Sequence, residues 1–316
     1  MPSATVIYNP SAGRFPAAPL IHRATRILSA AGWHIHLHES TGGNDLLQRA
    51  KRAVGEGDDV VFVAGGDGSL GKVASVLVGT ETALAVLPSG TANVWAKEMG
   101  LRHLDWINLF ALDRAAELLS SGDTRLADVG ECNGRMFLLW AGIGLDGEII
   151  HSIEPRPSWM KIIPYAHFAA HAIWNSVGWE GIDLHVVAPD VDIRGTFIVA
   201  IVSNIRAYAG GHVELAPTAK VDDGLLDFWL FEGKSLKDVV KHVYQVWRGL
   251  HVDAPGVLHF KSAEATFSAP RSFPLQFDGE PINVESPVRF AVRPKDLRVL
   301  VPAKKEFDLF LENQTV

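Results

Sequence analysis

Val60-Val61-Phe62-Val63-Ala64-Gly65-Gly66-Asp67-Gly68-Ser69-Leu70 is the stretch that decides the fold. Its first five residues are continuously apolar, the pattern of a strand covered on both faces. A glycine turn follows at once, then a helical segment, and strand–turn–helix is the building unit of a parallel sheet. The same order recurs on either side. Residues 83–87 form another apolar run and end in Pro88-Ser89-Gly90-Thr91-Ala92-Asn93. Residues 5–8 form a short β-branched segment and end in Asn9-Pro10-Ser11-Ala12-Gly13. Leu20, Ala24, Ile27, Leu28 and Ala31 recur at helical spacing. Trp33, Ile35 and Leu37 alternate with His34, His36 and His38, as on a strand with one buried face. Asn44 is placed to cap a helix carrying Leu47, Ala50 and Val54. Repeated βα units predict an α/β domain with a doubly wound, mostly parallel sheet and right-handed crossovers.

From about Asp128 the texture changes. Strand-like segments at 136–140, 183–187, 197–202, 225–231, 257–265 and 288–292 are joined mostly by turns. They predict an antiparallel β-sandwich, with helices only at 160–176 and 236–250. The expected division is therefore 1–127 for the α/β domain and 128–302 for the β domain. A tail at 303–316 carries Phe307, Phe310 and Leu311 at helical spacing and is expected to pack back on the first domain.

Composition narrows the function. Of 316 residues, 47% are hydrophobic and 21% charged, which excludes wholesale disorder. Lys+Arg 29 against Asp+Glu 36 gives a net charge of −7, and neither half is basic, so no nucleic-acid partner is expected. The single cysteine, Cys132, excludes an intramolecular disulfide and a multi-cysteine zinc site, and reads as an inert small residue. The start has no signal-peptide layout, and no apolar run reaches the roughly 18 residues of a membrane span. A cytoplasmic location is the expectation.

Three glycine turns at the ends of three parallel-strand candidates are harder to assign to connectivity than one would be. Loops after the carboxyl ends of strands line the ligand crevice of an open α/β sheet. Glycines let backbone approach a ligand closely, and N–H groups at the next helix start attract phosphate. Asp67 inside such a turn would repel a bare phosphate, so its presence suggests a bridging Mg²⁺. Neither the P-loop pattern nor the dinucleotide fingerprint occurs.

At these residues the chain resembles the bacterial diacylglycerol-kinase-like lipid kinases, relatives of sphingosine and ceramide kinases. The likeness runs through all three turns and continues in Ala141-Gly142-Ile143-Gly144-Leu145-Asp146, Tyr208-Ala209-Gly210-Gly211, the 221–227 segment and Phe277-Asp278-Gly279-Glu280. The resemblance implies a nucleotide-binding domain, a β-sandwich, and ATP in the cleft between them. It implies that Asn9, Thr41, Gly65, Gly66, Asp67, Gly68, Ser69 and Thr91 contact the nucleotide. Glu280 matches the acid proposed in the family as general base, with Asp67 positioning a catalytic Mg²⁺. Val221 and Leu225, through main-chain carbonyls, and Asp223 match a structural Mg²⁺ site, with Asp278 nearby in the family's charged network. The partners so implied are ATP, a membrane lipid with diacylglycerol the leading acceptor, and a transient membrane surface contact. A homodimer stays open.

Some positions depart from the family pattern. Ser69 stands where threonine is usual, Gly71-Lys72 where Asn-Glu is frequent, and Val94 where many relatives carry aspartate. Lost acids weaken metal binding, or Lys72 supplies positive charge instead. Two other readings follow: a nucleotide- and lipid-binding regulatory homologue with little turnover, and a small-molecule kinase of the NAD-kinase type. By position alone Glu280 reads as a surface acid and Asp222-Asp223-Gly224 as a hairpin turn. His34, His36 and His38 read as a solvated strand face rather than a metal site, and His167 with His171 as helix packing. Trp159 beside Arg156 and Lys161 suits a bilayer interface or, equally, a core-facing helix.

Overall fold

A computed structural model describes residues 1–10, 17–105, 107–153, 178–303 and 309–311. The expected helix at 160–176, the aromatic-basic segment at 155–161, His167, His171, Ser11 to Gly13 of the first turn, and Phe307 lie outside the described residues. The chain forms two compact units, 1–129 with 294–316, and 130–293.

The first unit is the doubly wound α/β half. Strands β1 (Ser3–Tyr8), β2 (His34–Glu39), β3 (Val60–Gly65) and β4 (Ala83–Pro88) are all parallel, in the order β2-β1-β3-β4. β3 and β4 are buried along their whole length, which is why their sequences are continuous apolar runs. Helices α1 (Ala18–Ala30) and α5 (Ala111–Ser120) pack together, as do α2 (Gly43–Glu56) and α3 (Asp67–Leu77). The reason is the order of the strands. From β1 the chain steps outward to β2, then back across β1 to β3 and on to β4. Right-handed crossovers in opposite directions put α1 on one face and α2 and α3 on the other. The reversal falls between β1 and β3, and that is where such sheets open a crevice at their carboxyl edge.

The cap of α2 differs from expectation. Its N-cap is Gly42 and Asn44 lies inside the first turn without a cap bond. Asp45 reaches back instead and accepts from Thr41 N at 2.9 Å. A short helix α4 (Val94–Glu98) follows β4. The unit ends with strand and tail: Val299 pairs parallel with Leu84, and Leu309 and Phe310 are buried, with the Arg125 guanidinium 5.2 Å from the Phe310 ring centre.

The second unit is antiparallel. Its strands are β5 (Asp123–Cys132, begun in the first unit), β6 (Arg135–Phe137), β7 (Trp140–Gly144), β8 (Ile182–Ala188), β9 (Val191–Ser203), β10 (Ala207–Tyr208), β11 (Val213–Glu214), β12 (Leu226–Glu232), β13 (Val257–Ser262), β14 (Glu264–Ser268), β15 (Leu275–Phe277), β16 (Glu280–Ile282) and the first part of β17 (Val288–Val301). The 13-residue β9 is the organiser. It pairs with β8 along its first half and with β7 along its second, while β12 lies on its other side. Phe137, Phe197, Phe228, Phe267, Phe290 and Leu275 fill one core from the inward positions. Burying each such side chain is worth about 1.5–3 kcal/mol. Helix α6 (Leu145–Ile153) continues from β7, and α7 (Leu236–Trp247) from β12, with Ser235 Oγ capping its Asp238 N.

Three segments read as single strands differ. Residues 136–140 split into β6 and β7, because the Leu138 and Leu139 N–H groups turn to the Asp278 carboxylate. Residues 257–265 break between β13, which pairs with β12, and β14, which pairs with β17 and β8. The strand expected at 288–292 runs on to Val301 as β17, carrying the chain back into the first unit from Pro294 onward.

Candidate functional site: a glycine-turn edge and an acidic hairpin

In the first unit the carboxyl ends of the strands are level: Tyr8 registers with Glu39 and Ala64, and Gly65 with Pro88. Asn9, Thr41 and Thr91 follow three of these strand ends, and Gly65 to Ser69 run from the end of β3 through Gly66 into the first turn of α3. One edge of one sheet therefore presents every residue assigned to the nucleotide from sequence. Two of the turns interlock. Gly90 N donates to Gly65 O at 3.1 Å, and a Cβ on Gly90 would lie 2.3 Å from the Gly66 Cα. Only glycine permits that approach. Asn93, at φ 50, closes the second turn by accepting from Gly90 N and donating to Gly90 O at 2.8 Å.

Asp67 clamps the pair. It begins α3, and its carboxylate accepts from Val94 N at 3.0 Å and Trp95 N at 3.1 Å, the first N–H groups of α4. Burial pushes its carboxyl above the usual carboxylate range, against the pull of these amides and of Lys97. The Lys97 ammonium is itself pulled below the ordinary lysine value by burial. Two amide bonds leave lone pairs on a carboxylate that accepts up to four, so Asp67 is chemically able to meet a cation as well as hold the turns. Asp45 does a related job beside Thr41, bridging it to Arg49. The Thr41 amide, then Arg49, hold the Asp45 carboxyl below its ordinary value. Lys72 on α3 extends to the start of α2, where a Cβ on Gly43 would lie 3.4 Å from its Nζ. Its charge therefore sits beside the Thr41 loop.

The second unit carries the acidic hairpin. Phe277 pairs with Glu280, leaving Asp278 and Gly279 as a two-residue turn at φ 48 and φ 84. Left-handed backbone at both positions is what Asp-Gly supplies in the tight hairpin. The Asp278 carboxylate accepts from Leu138 N at 2.7 Å, Leu139 N at 2.8 Å and Trp140 N at 3.2 Å. Gln276 Oε1 accepts from Gly279 N at 2.7 Å, and Gln276 Nε2 donates to Asp146 Oδ2 at 2.6 Å. Tyr208 Oη donates to Asp146 Oδ1 at 2.5 Å. A Cβ on Gly142 would collide with the Asp146 carboxylate, which explains the glycine in the 141–146 motif. Burial raises the Asp146 carboxyl, opposed by Tyr208 and Gln276. Glu280 opens β16, partly exposed, at the end of this chain of bonds.

Asp223 lies in a turn whose Oδ1 accepts from Leu225 N at 3.0 Å. Lys261 Nζ is 3.5 Å from Asp223 and 3.4 Å from Asp227, and donates to Thr218 O at 2.7 Å. One carboxylate with the carbonyls of Val221 and Leu225 is a hard-oxygen donor set suited to Mg²⁺, although an ammonium already shares that carboxylate. Asp278 is committed to amides. Among the described residues no group of three or more His, Cys, Asp or Glu side chains converges as a metal site. His34 and His36 stack edge to face at 4.6 Å on the exposed face of β2. Cys132 is buried, and burial pushes its thiol up to about 12.

Sequence reasoning passed over Asp45, Tyr208 and Gln276 as supports. Asp45, four residues beyond Thr41 at a helix start, had a local signal. Gln276 meets Asp146 across 130 residues and had none.

Residues 3–132 match the family described as diacylglycerol kinase catalytic domain, and residues 142–301 that described as YegS C-terminal NAD kinase beta sandwich-like domain. A Bacillus subtilis (strain 168) protein named diacylglycerol kinase is 24% identical, over 96% of this chain and 98% of its own. A Pseudomonas syringae pv. tomato protein named "Probable lipid kinase YegS-like" is 27% identical, over 86% and 85%. A crystal structure of a diacylglycerol kinase from Bacillus anthracis str. Sterne superposes with a TM-score of 0.73 at 18% identity, covering 95% of this chain and 97% of that one, a likeness of fold. With both units matched in order, the chain belongs to the diacylglycerol-kinase-like family of lipid kinases.

Proposed function

We propose that the chain is an ATP- and Mg²⁺-dependent lipid kinase that transfers the γ-phosphoryl group to a lipid hydroxyl, with diacylglycerol as the leading acceptor. The observation that carries this reading is the level carboxyl edge of β1, β3 and β4, where the Gly66 and Gly90 turns interlock under Asp67. Glycine in both turns lets backbone approach a phosphate closely, and α3 begins at that edge. Phosphoryl transfer asks chiefly for positioning and charge neutralisation. In this reading Asn9, Thr41, Gly65, Gly66, Gly68, Ser69 and Thr91 hold the nucleotide, and Lys72 adds positive charge beside Thr41.

Glu280 takes the proton of the lipid hydroxyl as its oxygen bonds to the γ-phosphorus and the bond to the β–γ bridging oxygen breaks, releasing ADP. Gln276 and Asp146 fix the turn from which Glu280 acts. A divalent cation, when bound, neutralises phosphate charge. Asp67 is the residue to hold it at the nucleotide, and Asp223 with the Val221 and Leu225 carbonyls to hold a structural one.

The test incubates radiolabelled ATP and Mg²⁺ with mixed-micelle lipids and, separately, NAD. A labelled lipid is expected, with Glu280→Ala slower by about a hundredfold to ten-thousandfold. Labelled NAD would move the reading to the NAD-kinase type. ATP binding without any labelled product would move it to a regulatory homologue.

A further inference from the structure

Helix α7 is seated by one side and leaves an apolar stripe on the other. Val239 and His242 are its buried residues. Leu236, Val240, Val243, Tyr244 and Trp247 recur at i, i+4, i+7, i+8 and i+11, within an arc of about 100°. An ordinary surface helix turns such an arc to the core. Here it is the solvent face: Val243 is 56% exposed and Trp247 68%, and Leu250 continues the patch at 57%.

The charges on this helix are not scattered. Lys237, Lys241 and Arg248 are exposed and fall along one flank of the stripe at the same helical periodicity. Lys241 Nζ is held there by Pro255 O at 2.8 Å. The helix's one acid, Asp238, lies on the far side, where the Ser235 hydroxyl donates to it at 2.6 Å. A stripe ending in Tyr and Trp, edged by cations and free of carboxylates, has the chemistry of a helix lying in the plane of a bilayer surface. The chain as a whole carries −7, so this cationic edge runs against its net charge.

We propose that α7 docks the protein on an anionic lipid surface, its apolar stripe entering the headgroup boundary and Lys237, Lys241 and Arg248 meeting lipid phosphates. Charge complementarity favours this occupant over a second copy of the chain. Antiparallel pairing of two α7 helices about a two-fold axis sets both cationic flanks on the same side, like charge beside like. The inference gives the proposed lipid kinase its place of membrane contact, and it stands on the chemistry of the helix itself.

The test is co-sedimentation with vesicles of phosphatidylglycerol and phosphatidylethanolamine, against phosphatidylcholine alone, for wild type, Val243→Ser with Trp247→Ser, and Lys237→Glu with Arg248→Glu. Wild type is expected to bind the anionic vesicles, with binding weakened by salt and lowered at least about tenfold in each double variant. Urea midpoints stay unchanged because every substituted side chain is exposed. Phosphorylation of a detergent-dispersed lipid stays within about twofold of wild type. If no form turns over lipid while vesicle binding still depends on α7, the kinase reading fails and this one stands. Equal binding to neutral vesicles, or double variants that bind as wild type does, overturns it. So does a loss of dimer mass in the variants with vesicle binding intact.

Discussion

Asp67 and Asp278 sit in glycine-containing turns of different units, and both carboxylates are bonded to backbone amides of a neighbouring segment. The difference lies in what each segment is. Asp67 binds the first turn of a helix, so it joins two helix starts and draws N–H groups to one edge. Asp278 binds an irregular link between β6 and β7, so it fixes the hairpin that presents Glu280. An acid beside glycine therefore signals a clamp in both places, and what differs is the element clamped: a helix start in one unit, an irregular strand link in the other. The glycines differ in the same way. Gly90 is required by close approach of backbone, Gly279 by its left-handed φ of 84.

Substitutions can break or sharpen that contrast. Gly90→Ala is expected to have the largest effect, because its Cβ meets backbone at 2.3 Å and the Gly66 turn must move. A loss of about 3 kcal/mol or more in urea unfolding, with loss of ATP binding, is the expected outcome. Asp278→Ala strands three amides and is expected to cost about 3 kcal/mol, and Asp67→Ala, which strands two, about 2 kcal/mol. Paired unfolding curves check the order, and equal midpoints would remove the idea that both acids are clamps.

Asp146 gives a pH dependence of known sign. Its folded-state value is raised, so its contribution to stability is complete below the ordinary 3.8 and is lost as pH rises through the folded value. Wild type is therefore expected to lose ground to Asp146→Asn as pH is raised above about 4 in matched denaturant titrations. Gly279→Ala has open space around its Cβ and is expected to cost only about 1 kcal/mol, from its φ alone. Cys132 should leave stability out of account and read accessibility: with its thiol at about 12 and buried, it is expected to resist iodoacetamide at pH 8 until the protein unfolds.

Much of the first unit was legible because its signals are local. The apolar runs at 60–64 and 83–87, each ending in a glycine turn, contain strand, loop and edge in about ten residues. The second unit was legible in kind but not in its breaks. The division of 136–140 depends on Asp278, some 140 residues away. The extension of β17 beyond 292 depends on Asp128, whose Oδ1 accepts from Lys295 N at 2.7 Å where φ is 53. Neither partner is visible from periodicity. The exposed stripe of α7 is the converse case: the spacing at 236–250 predicts a helix, and only the neighbours that surround it decide which side faces water.

The sequence by itself determined the two-part plan, the parallel order of strand and helix in the first part, and the family, because apolar periodicity and ordered motifs are properties of contiguous residues. Tertiary structure alone decided that Asp67 spans two turns, that Asp146 and Gln276 steady the Glu280 hairpin, and that α7 turns its apolar face outward. Each of those depends on which distant groups meet, and a carboxylate's partners or a helix's buried side are set by packing rather than by the neighbouring letters.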